Sequence, residues 1–366
     1  MLYPRDLDNI GNAILPLMRE METRIIRLIA AHIQRFYQEE YHVFSFDEVS
    51  SRYQVIYEIE LIKQETQERV TNEIYDLLFA AMHLSVRQEN QEFLQDYSII
   101  AETALSNMRN EISLIFSNIG MDGRPFDIAI DNAMAHAYLQ REAGRPMEEA
   151  LQPPFRDLMQ NGVQALARQA DERNLSIDGA VRSVAIRTAK VATIDISEAI
   201  ANAMGYDGYL MSWHVGARPL HSRWQGRIFS RFPGHSRYEW YETGVNIPDG
   251  GLSAPNCRHS RMPIPLGRVD EYLPYSSPID RSLWNQLDAP KYFEGRRLYP
   301  HEAEAMMRRF ETETRRNTRE KIAMQAIGYT LRVAELDALI NRRLKRYIKL
   351  SEIFSISTQM DRFWTI

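Results

Sequence analysis

The chain predicts a mainly α fold: an N-terminal helical bundle, a small α+β module and C-terminal charged helices. Three observations carry this. Through the first two hundred positions, apolar residues recur at three- and four-residue steps, which gathers them on one face of successive helices. After Gly208 the texture changes to short aromatic and β-branched runs separated by Gly- and Pro-rich turns. From Tyr299 the helical period returns, with many charges and few apolar residues. The expected divisions are 1–205 (helical domain), 206–268 (α+β module), 269–300 (connector) and 301–366 (C-terminal helical region).

In the first region, "LDNIGNAILPLMREMETRIIRLIAAHIQRF" sets Ile10, Ile14, Leu17, Met18, Met21, Ile25, Leu28 and Ile29 in one stripe. Pro16 marks a kink or a break, since proline lacks the donor a helix interior needs. Asp6 is a candidate N-cap. A second helical block follows Ser45, which forms a capping-box pattern with Glu48. A third is expected to close at Gly120, and "DGRP" at 122–125 is a turn. A fourth ends at Gly144, Pro146 suits a first helical position, and Pro153-Pro154 serve as punctuation. "GAVRSVAIRTAKVATIDISEAIANA" is the most regular helix. Its face of Val181, Val184, Ala185, Thr188, Ala192 and Ile196 is small enough for neighbouring backbones to approach, so it belongs at the centre of the bundle.

In the module, "YLMSWHV" and "RIFS" are short strands and "RPLHSRW" is a one- or two-turn helix begun by Pro219. "FPGH" is a turn. "CRHSRMPI" is a third strand, at an edge because Pro263 cannot donate to a ladder. Beyond a proline-studded connector, the two last helices look exposed, paired with each other or with a partner chain.

Composition bounds the function. With 366 residues, 44% hydrophobic and 25% charged, the chain can bury a core and is not disordered. No run approaches the ~18 apolar residues of a membrane span. The first twenty residues carry scattered charges and no small-residue cleavage site, which argues against a secretory signal. A single cysteine excludes an internal disulfide, so synthesis in a reducing cytoplasm is expected. Charge is uneven. Residues 1–200 carry 19 Lys and Arg against 31 Asp and Glu, whereas residues 291–350 carry 15 against 8. Such asymmetry suggests head-to-tail contact, a basic end aimed at an acidic partner, or simple drift along helical surfaces.

Three chemistries compete for the module. His214, His221, Cys257 and His259 are a donor set zinc accepts, but H-x6-H followed by C-x-H matches none of the usual knuckles. Cys257 has histidines available as a base and Gln225 or Asn256 available to orient one, while Arg218 and Arg258 would lower a thiol pKa if close. The plainer alternative is a set of polar side chains that satisfy one another, with no cofactor. Trp213, Trp224 and Trp240 are expected in the core. No phosphate loop, G-x-S-x-G or H-E-x-x-H occurs. At the C-terminal end, Arg315, Arg316 and Arg319 share one helical side and Arg342, Arg346 and Lys349 another. These suit sequence-blind phosphate contact, although interleaved acids also suit a salt-bridged surface.

The two stretches "HVGARPLHSRWQGRIFS" and "NCRHSRMPI" resemble the signature of the phage minor capsid protein type 2 family. His214, Gly216, Ala217, Arg218, Pro219, His221, Trp224, Gln225, Gly226, Phe229 and Ser230 fit its first part. Asn256, Cys257, Arg258, His259 and Ser260 fit its second. The chain departs from the usual pattern at Ala254-Pro255 and Arg261-Met262. The likeness covers about residues 130–350, while the first hundred share only helical character. A distant likeness to Mu F-like head-morphogenesis proteins lies in the shared "NCR" turn. The resemblance implies a virion protein of a tailed phage, synthesised in the host and residing at the portal vertex. It implies partners in the portal protein, other head proteins or copies of itself and, through the basic end, packaged DNA. No membrane partner and no enzymatic activity are implied. The signature residues then have a structural job: the arginines bond carbonyls or a carboxylate, Gln225 and Asn256 satisfy buried backbone, and the histidines bridge the two stretches.

Overall fold

The computed structural model describes residues 4–38, 46–87, 94–167, 174–214, 217, 221–245, 252, 257, 259–269 and 289–363. Helix α1 (Pro4–Ala13) and helix α2 (Leu15–Gln38) are separated at Ile14. Pro16 is therefore in the first turn of α2, where a missing N–H costs nothing. Asp6 lies inside the first turn of α1 rather than capping it. Of the predicted stripe, Ile10, Ile14, Met18, Met21, Ile25 and Ile29 are buried, Leu17 and Leu28 are half-buried, and Ile26 and Ile33 widen the buried face. Each buried side chain there contributes about 1.5–3 kcal/mol relative to exposure.

Helix α3 (Phe46–Arg87) crosses the bundle, followed by α4 (Leu94–Phe116), α5 (Phe126–Glu142), α6 (Met147–Leu158) and α7 (Ile177–Ala203). Ser45, the expected capping residue, lies outside the described residues. Gly120 does not end α4. It sits in β1 (Ile119–Met121), which pairs antiparallel with β2 (Val163–Ala165), itself paired with β3 (Leu175–Ser176). Strands of two or three residues are too short to show a period of two, so this sheet leaves no pattern in the sequence. Pro153 and Pro154 do not interrupt the chain either. They lie inside α6, where burial of Leu151, Pro154, Phe155 and Leu158 on one face outweighs the lost donors.

The module contains β4 (Gly208–Met211), β5 (Ile228–Ser230), a short helix α8 (Tyr241–Gly244) and β6 (Arg261–Ile264), with sheet order β5-β4-β6. Pro263 sits on the edge strand opposite Tyr209, as its chemistry requires. The module keeps its own apolar cluster, in which Tyr209, Met211, Trp224, Phe229 and Cys257 pack together. A hairpin of β7 (Lys291–Phe293) and β8 (Arg296–Leu298) follows, turned by Glu294 and Gly295, both at positive φ. That pair of left-handed residues matches the right-handed twist of the strands.

Helices α9 (Pro300–Ala326) and α10 (Thr330–Phe354) fold back on each other at Gly328, whose φ of 76° asks for glycine. They were expected to be exposed, and α9 is not. Glu311, Thr314, Asn317, Thr318, Arg319 and Glu320 are all buried, and Ile322, Ala323 and Met324 join the core that begins at Leu7. The reason is ionic. Arg319 meets Glu22 of α2 at 2.8 Å, with side chains only 5% and 3% exposed, and Arg315 pairs with Asp178 of α7. Arg182 and Arg362 both reach Asp8 of α1, at 2.6 and 3.2 Å. The acidic front and basic back of the sequence therefore meet within one chain.

Candidate functional site

The module's polar centre is assembled from two segments that β4 and β6 bring together. Ser212, just after β4, ties itself to the second segment twice: its Oγ accepts the Ser260 N–H at 2.8 Å and its own N–H donates to the Ser260 carbonyl at 2.9 Å. A 3-10 turn at His221–Arg223 follows. The N–H groups of Trp224 and Gln225 both donate to the His221 carbonyl, at 3.2 and 3.0 Å. Gly226, at a φ of 67°, reverses the chain into β5, and a side chain there would be strained.

This turn drives His221, Trp224 and Gln225 inward, where they are 2%, 1% and 2% exposed. There they meet Cys257 and His259, at 4% and 0%. The His259 ring packs against three neighbours, with centroids 4.3 Å from His214, 4.6 Å from Trp224 and 5.2 Å from His221. Gln225 Oε1 lies 3.1 Å from His259 Nε2 and also accepts the His214 backbone N–H at 3.4 Å. A backbone N–H can only donate, so that atom is the amide oxygen. Nε2 therefore carries the ring proton, and the Nδ1 lone pair points at Cys257 Sγ, 3.5 Å away. In this geometry His259 of the second stretch packs against His214 and His221 of the first, and Gln225 joins the His259 ring to the His214 backbone.

Gly216, Arg218, Pro219, Asn256 and Arg258 lie outside the described residues. Of the three tryptophans expected in the core, only Trp224 is fully buried. Trp213 and Trp240 are half-buried, and Trp240 Nε1 donates to the Arg231 carbonyl at 3.1 Å.

Two supporting groups escaped the sequence reading. Lys190 of α7 is buried at 8% and donates to the carbonyls of Leu252 and Cys257, the latter at 3.2 Å, which pins the loop that carries the cysteine. A lone lysine on the apolar face of a small-residue helix was the available signal. Arg261, at a position where the family usually has an aromatic, lies over the rings of Tyr209 and Tyr241, 4.3 and 4.9 Å from their centroids. It also meets Glu198 at 3.0 Å, as does Arg231 at 2.6 Å. Burial raises the Glu198 carboxyl, but the bonds from Tyr209 and Arg231 reverse this and leave it below its usual value. Burial, aided by the bond to Glu198, pushes the Tyr209 hydroxyl up to about 12.

Chemically, the thiol, imidazole and amide stand in the order of a nucleophile, a base and its orienting group. Their near-complete burial places them in the core rather than at a surface that substrate reaches. The basic side chains nominated for phosphate contact divide. Arg319 and Arg315 face inward in ion pairs with Glu22 and Asp178, so the first stripe is not an open cationic face. Arg316 is half-buried. Arg346 is held by Glu294 at 2.5 Å, while Arg342 and Lys349 are exposed.

Residues 2–348 match a family described as phage minor capsid protein 2. The match takes in the helical front, which the signature residues alone did not cover. No curated protein and no solved structure matches the chain.

Proposed function

The chain belongs to the phage minor capsid protein 2 family, and from this premise we propose that it acts at the portal vertex, with its front helices as the contact surface. Members are structural proteins of the phage head, and a virion location and contact with other head proteins follow from membership. No helix among the described residues is long and apolar enough to cross a membrane.

The observation that supports the finer reading is on α3. Val55, Ile59 and Ile62 face the core, while Tyr53, Tyr57 and Leu61 stand outward at 66%, 59% and 46% exposure. Their four-residue spacing stacks them along one side. Aromatic side chains exposed in a row on a helix are the composition of an interface core, not of a solvated face. A role in head assembly or genome passage, and any portal surface it meets, rests on this reading. The domain divisions at 205, 268 and 300 are kept in it: the front carries the contact, and the module is a rigid insert.

The test is to replace Tyr53, Tyr57 and Leu61 together by Glu and measure incorporation into heads. Loss of the protein from particles, with an unchanged helical circular dichroism spectrum, is expected. Normal incorporation would overturn the assignment of this face. Direct DNA handling is disfavoured by the inward pairing of Arg315 and Arg319. Salt-dependent binding to duplex DNA, lost on replacing Arg342 and Lys349, would restore it.

A further inference from the structure

We propose that His221, Cys257 and His259 form a structural binding site for a thiolate-accepting divalent metal, Zn2+ in the first place. Their ligand atoms all lie within 4.8 Å of one another, and all three residues are buried. A tetrahedral zinc ion with bonds of about 2.0–2.3 Å sets its ligand atoms roughly 3.3–3.8 Å apart. The Cys257 Sγ to His259 Nδ1 distance of 3.5 Å is already of that size.

The chemistry around the donors agrees with the distance. A metal-bound imidazole must offer a lone pair at one nitrogen and fix its orientation by donating from the other. His259 does both: Nε2 donates to Gln225 Oε1, which leaves Nδ1 to face the sulfur. The bound sulfur must be a thiolate, and Lys190 donates to the Cys257 carbonyl at 3.2 Å, which fixes the backbone that carries it. Two imidazoles and one thiolate suit zinc better than calcium or magnesium, which take oxygen. The His214 ring packs against His259, with centroids 4.3 Å apart, and holds that ring in place. With the three donors only 2%, 4% and 0% exposed, no substrate reaches them, which favours a structural role for the metal over a catalytic one. Binding would release the thiol proton to solvent and tie the 3-10 turn at His221 to the start of β6.

Sequence spacing hides this. H-x6-H and C-x-H lack the close pairs of a knuckle, and only the pairing of β4 with β6 brings the two halves together.

The test uses the tag-free full chain. It is first assayed for bound metal, then stripped with a chelator and titrated with Co2+ and with Zn2+. Expected results are one metal per chain, a tetrahedral cobalt spectrum with a thiolate-to-cobalt charge-transfer band, and a higher melting temperature with Zn2+ than without. Cys257→Ser should abolish the charge-transfer band, and Gln225→Ala should weaken binding about 10–100-fold. The cobalt spectrum of the unmodified chain decides the matter even if the variants fail to fold. Absence of the band at saturating Co2+, or an unchanged band in a folded Cys257→Ser variant, would overturn the proposal.

Discussion

The module and the seam between α2, α7 and α9 both bury polar groups, but from opposite materials. Around its cysteine the module buries imidazoles, an amide and a thiol, joined over short stretches of chain: Gln225 and His259 are 34 residues apart. Its buried cations, Lys190 and Arg261, are met by a backbone carbonyl and by Glu198. The seam buries carboxylates and guanidinium groups, joined across the molecule: the Val163 N–H donates to Glu22 Oε1 from 141 residues away. Neutral groups can be satisfied by hydrogen bonds alone. Charges need a partner of opposite sign at contact distance, because desolvating an ion costs several kcal/mol. The module is thus tolerant of its surroundings and able to fix one local conformation, whereas the seam registers whether front and back have docked.

The sharpest way to break this contrast is Arg319→Ala. It leaves the Glu22 carboxylate buried without its cation, and a loss of about 3–5 kcal/mol is expected in chemical denaturation. Arg319→Met combined with Glu22→Leu should recover much of that, since replacing both charges by apolar groups removes the desolvation cost. If the single variant is as stable as the parent, the Glu22–Arg319 pair does not report docking of front and back.

Gln225→Leu is the matching change in the module. It removes the acceptor of both the His259 ring proton and the His214 N–H, and a loss of about 1–3 kcal/mol is expected. Hydrogen exchange should show that loss confined to the module, with α2 and α9 unaffected. Spread of the effect into the front bundle would make the two regions one cooperative unit.

An effect of the same order, about 1–3 kcal/mol, is expected for Gly162→Ala from backbone strain at φ 66°. An added Cβ would also lie 2.1 Å from Glu22 Oε1 and 2.3 Å from Arg319 Nε, so the glycine is what allows the chain to pass the ion pair. Thermal melting of this variant beside Gly234→Ala, where nothing stands within 4 Å of the added atom, separates collision from strain.

Least in size, the two regions should differ in their response to pH. In the seam, burial raises the Asp178 carboxyl but Arg315 and Arg319 overcome this and hold it below its usual value. Its share of stability is therefore present above the unfolded value and lost as pH falls through the folded one. Glu22 runs the other way: burial outweighs Arg319 and the Val163 N–H, so its carboxyl lies above the usual value. Its share is present at low pH and lost as pH rises through the folded value. In the module, the Tyr209 hydroxyl is raised to about 12, so its contribution holds below about pH 10 and is lost as pH climbs through the folded value. Asp178→Asn should flatten the acid limb of the stability curve, and Tyr209→Phe should remove one tyrosinate step from those above the usual tyrosine value, leaving the later step of Tyr347 in place.

The sequence by itself determined the helices of the front, because an apolar stripe at three- and four-residue steps has one low-energy arrangement in water. It also located the three strands of the module, although the first ends at Met211 and the third begins only at Arg261, so that His214, Cys257 and His259 lie outside them; and it determined the edge position of Pro263 and, through the two signature stretches, the family. It could not show that α9 is buried. A helix with so many charges looks exposed until Arg319 and Arg315 find Glu22 and Asp178 on other elements. It could not show the three-stranded sheet of the front, whose strands are shorter than any readable period. Nor could it show that His221 stands beside Cys257 and His259, since that meeting depends on the antiparallel pairing of β4 with β6. Local chemistry is written along the chain, residue by residue. The partner of a buried charge or of a metal-ligating side chain is chosen only when distant segments pack.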